Sequence, residues 1–149
     1  MLRRVVILCC MLVLVPLTAS ALDFRSVAVT KATLYDAPSN AAKKVLLLSQ
    51  SYPVEVVVNL GDWLKVRDAE GGLNWVEAKQ LSNKRTVLIR SNNAEVRQAA
   101  DATSKMLATV EKEVVLEVLD AKPNSGWVKV KHRDGVVGYL LISSTWGTD

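Results

Sequence analysis

The chain has 149 residues, half of them apolar, with 19 basic and 15 acidic side chains, one histidine and two cysteines. Without Arg3 and Arg4 the basic count falls to 17 against 15 acidic. That balance offers no clustered basic surface, so nucleic acid and anionic membrane are not expected as partners. Both cysteines, Cys9 and Cys10, lie in the N-terminal segment, so the rest of the chain has no disulfide and depends on apolar packing.

Residues 1–21 read as a signal peptide. Arg3 and Arg4 supply a positive start, residues 5–17 an apolar core, and residues 18–21 the small side chains for cleavage after Ala21. The apolar run of about 13 residues is short of the roughly 20 that span a bilayer, so no transmembrane anchor is expected after cleavage. Ile7 and Leu8 before Cys9 do not fit a lipoprotein signal. Export without disulfides fits a bacterial periplasm or cell envelope, or otherwise secretion.

Beyond the leader, alternation with period two dominates. A first extended run covers residues 32–35 and ends at Asp36-Ala37-Pro38-Ser39. Residues 41–51 are rich in Ala, Lys and Leu and are expected to form a long loop ending in a strand, with Leu47 anchoring the core. The valine-rich residues 54–58 form the next strand, followed by a turn at residues 59–62. Trp63-Leu64-Lys65-Val66-Arg67 then places Leu64 and Val66 on one face and Trp63, Lys65 and Arg67 on the other. A turn at residues 68–72 leads to Trp75 and Val76, residues 77–81 form one helical turn, and residues 86–89 are expected to close the first unit.

The same order then returns. After a boundary near residues 91–93 come Ala94-Glu95-Val96-Arg97-Gln98, a second loop over residues 99–110 with Leu107 as its anchor, and the strand 114–118. A turn at residues 122–126, Trp127-Val128-Lys129-Val130-Lys131, the Asp134-Gly135 hairpin signal and a strand through Tyr139 and Leu140 complete it. Trp146 is expected in a last strand, or as an interaction handle. A repeat of roughly 60 residues suits a duplicated small domain rather than a solenoid unit. Its short junction restricts the relative orientation of the copies. The expected inward residues are Leu34, Val56, Leu64, Val66 and Val76 in the first copy, and Val96, Val118, Val128, Val130 and Leu140 in the second.

Catalysis has little to draw on. The single histidine, His132, follows Val128 and Val130 on one side of its strand and reads as structural. No cysteine nucleophile remains beyond the leader and no nucleophile-elbow motif is present. One histidine with scattered carboxylates does not make a metal site. The expectation is therefore a non-enzyme with no catalytic residues, no metal and no cofactor.

The ordered set Leu34-Tyr35-Asp36-Ala37-Pro38-Ser39, a valine-rich strand, Trp63-Leu64-Lys65-Val66-Arg67 and a glycine followed by Trp75-Val76 resembles bacterial SH3-like domains, and the second copy follows suit. The resemblance implies an all-β fold: two tandem small SH3-like β-barrels, 22–90 and 91–149. It also implies an export-linked binding module. Peptide-binding SH3 domains use an aromatic-lined groove, and Tyr35 and Trp63 resemble two of its residues. Tyr52 and Trp75 extend that surface, with Trp127 and Tyr139 as second-copy counterparts; Trp63 and Trp127 are equally open to a role as barrel caps. The segment that closes the proline-peptide groove has no match after Val76, so that ligand is not implied. Val96-Arg97-Gln98 departs from Leu34-Tyr35-Asp36, and no proline follows. The expected partner is a peptidoglycan peptide or an envelope protein; the alternatives are an assembly adaptor or an accessory subunit of a cell-wall hydrolase.

Overall fold

Alternating Val, Leu and Trp runs broken by glycine-containing turns fold into strands throughout a computed structural model that describes residues 21–149. The signal-peptide reading therefore falls, except for Ala21, outside the described residues. Strands β1 (Asp23–Val27), β2 (Lys31–Tyr35), β3 (Lys44–Ser49), β4 (Pro53–Asn59), β5 (Trp63–Arg67), β6 (Leu73–Glu77) and β7 (Leu81–Ser82) come first, with a 3-10 turn at Ala78–Gln80 between the last two. Then follow β8 (Thr86–Ile89), β9 (Asn93–Arg97), β10 (Met106–Glu111), β11 (Val115–Asn124), β12 (Trp127–Lys131), β13 (Val137–Leu141), a 3-10 turn at Ile142–Ser144, and β14 (Thr145–Trp146).

The first seven strands form an antiparallel sheet of order β3-β2-β6-β5-β4-β1-β7. The second seven repeat it position for position as β10-β9-β13-β12-β11-β8-β14. Each strongly curved sheet encloses its own aliphatic core, and the all-β, two-barrel architecture is as the sequence implied. Val27, Ala32, Leu34, Leu48, Val54, Leu64, Val66 and Val76 fill the first. Val87, Ile89, Ala94, Val96, Val110, Leu116, Val128, Val130 and Leu140 fill the second.

Several expectations need correction. Residues 86–89 do not close the first barrel: β8 pairs with β11 and β14 and is the opening strand of the second sheet. By sheet membership the barrels part at residues 83–85 rather than near residues 91–93. The equivalent opening strand of the first barrel is β1, which pairs with β4 and β7. Leu47 and Leu107 are not core anchors. Leu47 is 58% exposed, and the core position falls to Leu48 opposite Ala32. Leu107 is an extra residue in β10, skipped between the Met106–Arg97 and Ala108–Val96 pairs, so the inward side chain is Val110.

A similar extra residue explains why Val56 and Val118 are only half-buried. Pairing of β4 with β5 passes from Val56–Val66 to Val58–Lys65, and that of β11 with β12 from Val118–Val130 to Asp120–Lys129. Val57 and Leu119 are thus the bulged residues, and each strand bends off its barrel there. Valine-rich sequence reads as uninterrupted alternation, which a bulge defeats.

The two barrels are fastened together. Trp146 of β14 packs edge-on against Phe24 of β1, with ring centroids 5.3 Å apart, and the Arg85 guanidinium lies 5.6 Å from the same phenyl ring. Thr86 Oγ1 donates to the Ser51 carbonyl at 2.7 Å, and Ser26 Oγ to the Lys84 carbonyl at 2.7 Å. Gly147 has φ +117°, and a Cβ there would lie 2.5 Å from the Thr86 carbonyl oxygen and 3.0 Å from Pro53 Cβ. Only glycine allows this close crossing. Trp146 accordingly is a strand residue committed to the seam, not a free handle.

Candidate functional site

Strand alternation separates core from ledge in the first barrel. Leu64, Val66 and Val76 point inward, which turns Trp63 and Lys65 of β5 and Trp75 of β6 outward. Tyr35 is directly opposite Trp75, and Trp75 opposite Lys65, so adjacent strands carry the aromatic set side by side. Tyr35 meets Trp63 edge-on at 5.5 Å between centroids, and the Lys65 ammonium stands 5.8 Å from the centre of the Trp75 ring. Tyr35 is only 7% exposed; it is a buttress, and the partly buried indoles of Trp63 and Trp75 are the surface it supports. At the rim, Glu77 pairs with Lys79 at 2.7 Å, and this contact raises the Lys79 pKa.

The second barrel fills the same places differently. Arg97 replaces Tyr35, Trp127 replaces Trp63 and Tyr139 replaces Trp75, with Tyr139 opposite both Arg97 and Lys129. Arg97 Nη1 donates to the Ser104 carbonyl at 2.7 Å, its other terminal nitrogen pairs with Glu95, and Ser104 Oγ donates to the Ala99 and Asp101 carbonyls. Arginine therefore clamps the loop that follows its own strand. Asp101 caps that loop through Thr103, whose backbone and hydroxyl hydrogen bonds lower its pKa. Trp127 is 9% exposed and lines, with Arg97 and Leu140, a small cleft of about 250 Å³.

Tyr52 does not join either aromatic set. It is half-buried against the first core, and its hydroxyl accepts the Ala69 N–H at 3.2 Å. Burial raises its pKa, and the carboxylates of Asp68, Glu70 and Glu113 act in the same direction. The six sequence-selected residues thus divide into Tyr35, Trp63 and Trp75 on one barrel, Trp127 and Tyr139 on the other, and Tyr52 as a packing residue. His132 lies just past β12, in the turn to β13. Its backbone closes that turn through Val136 and Gly135, and its Nδ1 sits 2.7 Å from Asp134 Oδ1, which holds the Asp134 carboxyl below its usual pKa. Among the described residues no group of three His, Cys, Asp or Glu side chains could hold a metal ion, and no helix is long and apolar enough to cross a membrane.

Sequence reading missed Lys65 as part of the ledge, although its position opposite Trp75 follows once β5 and β6 are paired. It also missed a groove of about 780 Å³ between the barrels, because that space exists only when both copies are docked.

The Bacterial SH3 domain family model matches residues 28–83 and again residues 90–147, and the chain belongs to that family. No curated protein matches it. Among solved structures it is similar to NlpC2 from Trichomonas vaginalis, at 14% identity and TM-score 0.39, over 84% of this chain and 48% of that one. NlpC1 from the same organism gives 15% and 0.39, over 86% and 46%. An NlpC/P60 family protein from Bacillus cereus gives 19% and 0.37, over 84% and 57%. The chain thus spans about half the length of these proteins.

Proposed function

We propose that the protein is an exported, non-catalytic binding module of the bacterial cell envelope that docks peptidoglycan peptides on the first barrel, through Trp63 and Trp75 held in place by Tyr35. Membership of the bacterial SH3 family supports the binding role, and the leader-like residues 1–21 support export. The observation that carries the site is the outward aromatic pair beside Lys65. Two indoles flanking a cation, on a face the aliphatic core does not use, suit an amide-rich ligand bearing carboxylates.

An adaptor reading is weaker, since its aromatic handle, Trp146, is committed to Phe24. Retention on purified sacculi tests the proposal. The protein is expected to sediment with sacculi, and Trp63→Ala or Trp75→Ala to release most of it. Sacculi that retain neither the protein nor its variants would exclude wall binding, leaving an envelope protein to be sought by crosslinking.

A further inference from the structure

The groove between the barrels holds a second, independent feature. Gln50 and Ser51 of the first barrel line it, facing Glu113, Glu117 and the run Lys131-His132-Arg133 of the second, with Val114 and Val115 adding an apolar stretch. Its volume falls within the roughly 300–1,000 Å³ typical of small-ligand sites. The walls are fixed by the Phe24–Trp146 contact and the Thr86–Ser51 hydrogen bond.

Duplication shows what is unusual here. In the first barrel Arg67 is opposite Glu55 and pairs with it at 3.1 Å, so that cation is spent within its own sheet. The next two residues add no free cation: buried Asp68 accepts the Glu70 and Gly72 N–H groups, and the carbonyl of buried Ala69 accepts from the Arg90 guanidinium. In the second barrel Lys131 is opposite Glu117, but that carboxylate pairs instead with Lys84 of the junction at 3.2 Å. Lys131 is left exposed without an ion-pair partner among the described residues, and so is Arg133, which stands where the first barrel has Ala69. His132, replacing Asp68, is turned toward Asp134.

We propose that this groove is a binding site for a peptide carboxylate, held by Lys131 and Arg133. Both cations line a groove whose other charged members, Glu113 and the Lys84–Glu117 pair, oppose a densely charged polyanion. A ligand with single carboxylates spaced by amides meets both conditions, and Gln50 can pair with its amides.

The test is a two-dimensional amide NMR titration of the purified protein with two probes: N-acetyl-trialanine, which has a free terminal carboxylate, and N-acetyl-Ala-Glu-Ala amide, which has only the side-chain one. Shifts are expected at residues 50–51, 84–86, 113–117 and 131–133. The probe that produces them identifies the carboxylate that is read. Charge reversal at Lys131→Glu with Arg133→Glu, both on exposed positions, should weaken binding about tenfold or more. Glu113→Gln should strengthen it. Lys44→Glu, an exposed reversal on the first barrel away from the groove, should leave it unchanged, which separates groove binding from a general change of surface charge. Absence of shifts in the groove with both probes, or equal binding by the reversed variant, would overturn the proposal. Tighter binding of inorganic tripolyphosphate through the same residues would do so too, by marking a general anion site.

Discussion

The two barrels share strand order and the bulges at Val57 and Leu119, yet spend their charged and aromatic residues differently. In the first, the cation at the end of its fifth strand is neutralised internally and the aromatics form an outward ledge. In the second, the Arg97 position that corresponds to Tyr35 clamps a loop, and the cations Lys131 and Arg133 face the partner barrel. The seam follows the same logic. Ser26 and Ser82, whose hydroxyls lie 3.2 Å apart, occupy the positions of Leu88 and Trp146 in the second barrel, so the copies dock through unlike surfaces. A duplicated fold is thus free to vary wherever a side chain leaves the aliphatic core.

The largest expected effect tests the shared part. Leu64→Ala empties a fully buried position and should cost about 2–5 kcal/mol, whereas its counterpart Val128→Ala removes fewer atoms and should cost about 2 kcal/mol. Urea midpoints at unchanged slope would measure both. Equal losses would mean that the two cores are not packed alike.

Next comes the seam. Trp146→Ala removes the ring against Phe24 and should cost about 2–3 kcal/mol. It should also turn one unfolding transition into two, as each barrel unfolds on its own. The indole nitrogen of Trp146 is buried with no hydrogen-bond partner among the described residues, so Trp146→Phe should be tolerated far better. A single transition in Trp146→Ala would show that the barrels are coupled by the junction and its hydrogen bonds instead.

The ledge itself can be moved. Arg97→Tyr should give the second barrel an aromatic contact with Trp127 while costing about 1 kcal/mol for the lost loop clamp. If the first barrel binds through its indoles, this variant should gain affinity for sacculi. Tyr35→Arg should lose it while the Leu64 core remains intact.

Much of this was legible beforehand because two copies of one pattern check each other. Trp63-Leu64-Lys65-Val66-Arg67 and its counterpart assign inward and outward faces without ambiguity, and Tyr35 and Trp63 do meet. The opening strands were harder to read. The segment containing Phe24 has no obvious likeness to residues 86–89, since Arg25 and Ser26 stand where Val87 and Leu88 do. Alternation alone therefore attaches the strand Thr86–Ile89 to the barrel before it, whereas pairing with β11 and β14 places it in the one after. Bulges at Val57 and Leu107 hid in runs of apolar residues where every register looks equally good. The groove had no local signal at all, because its walls are distant in sequence.

The smallest effect tests Tyr52, the aromatic that belongs to neither outward set. Tyr52→Phe leaves the ring in place but removes the acceptor for the Ala69 N–H, a loss of about 1 kcal/mol or less. The sign of its pH dependence follows from burial. The folded state holds the phenol proton at a pH where the unfolded chain has released it, so the stabilisation is intact below the ordinary tyrosine value near 10 and declines as pH rises through the raised one. Ionisation there would place a phenolate near Asp68 and Glu70 of its own barrel and Glu113 of the other. Wild-type stability should thus fall more steeply than that of Tyr52→Phe above about pH 10, as thermal melts at successive pH values would record. Parallel curves would mean that the hydroxyl is as well solvated in the fold as in the open chain.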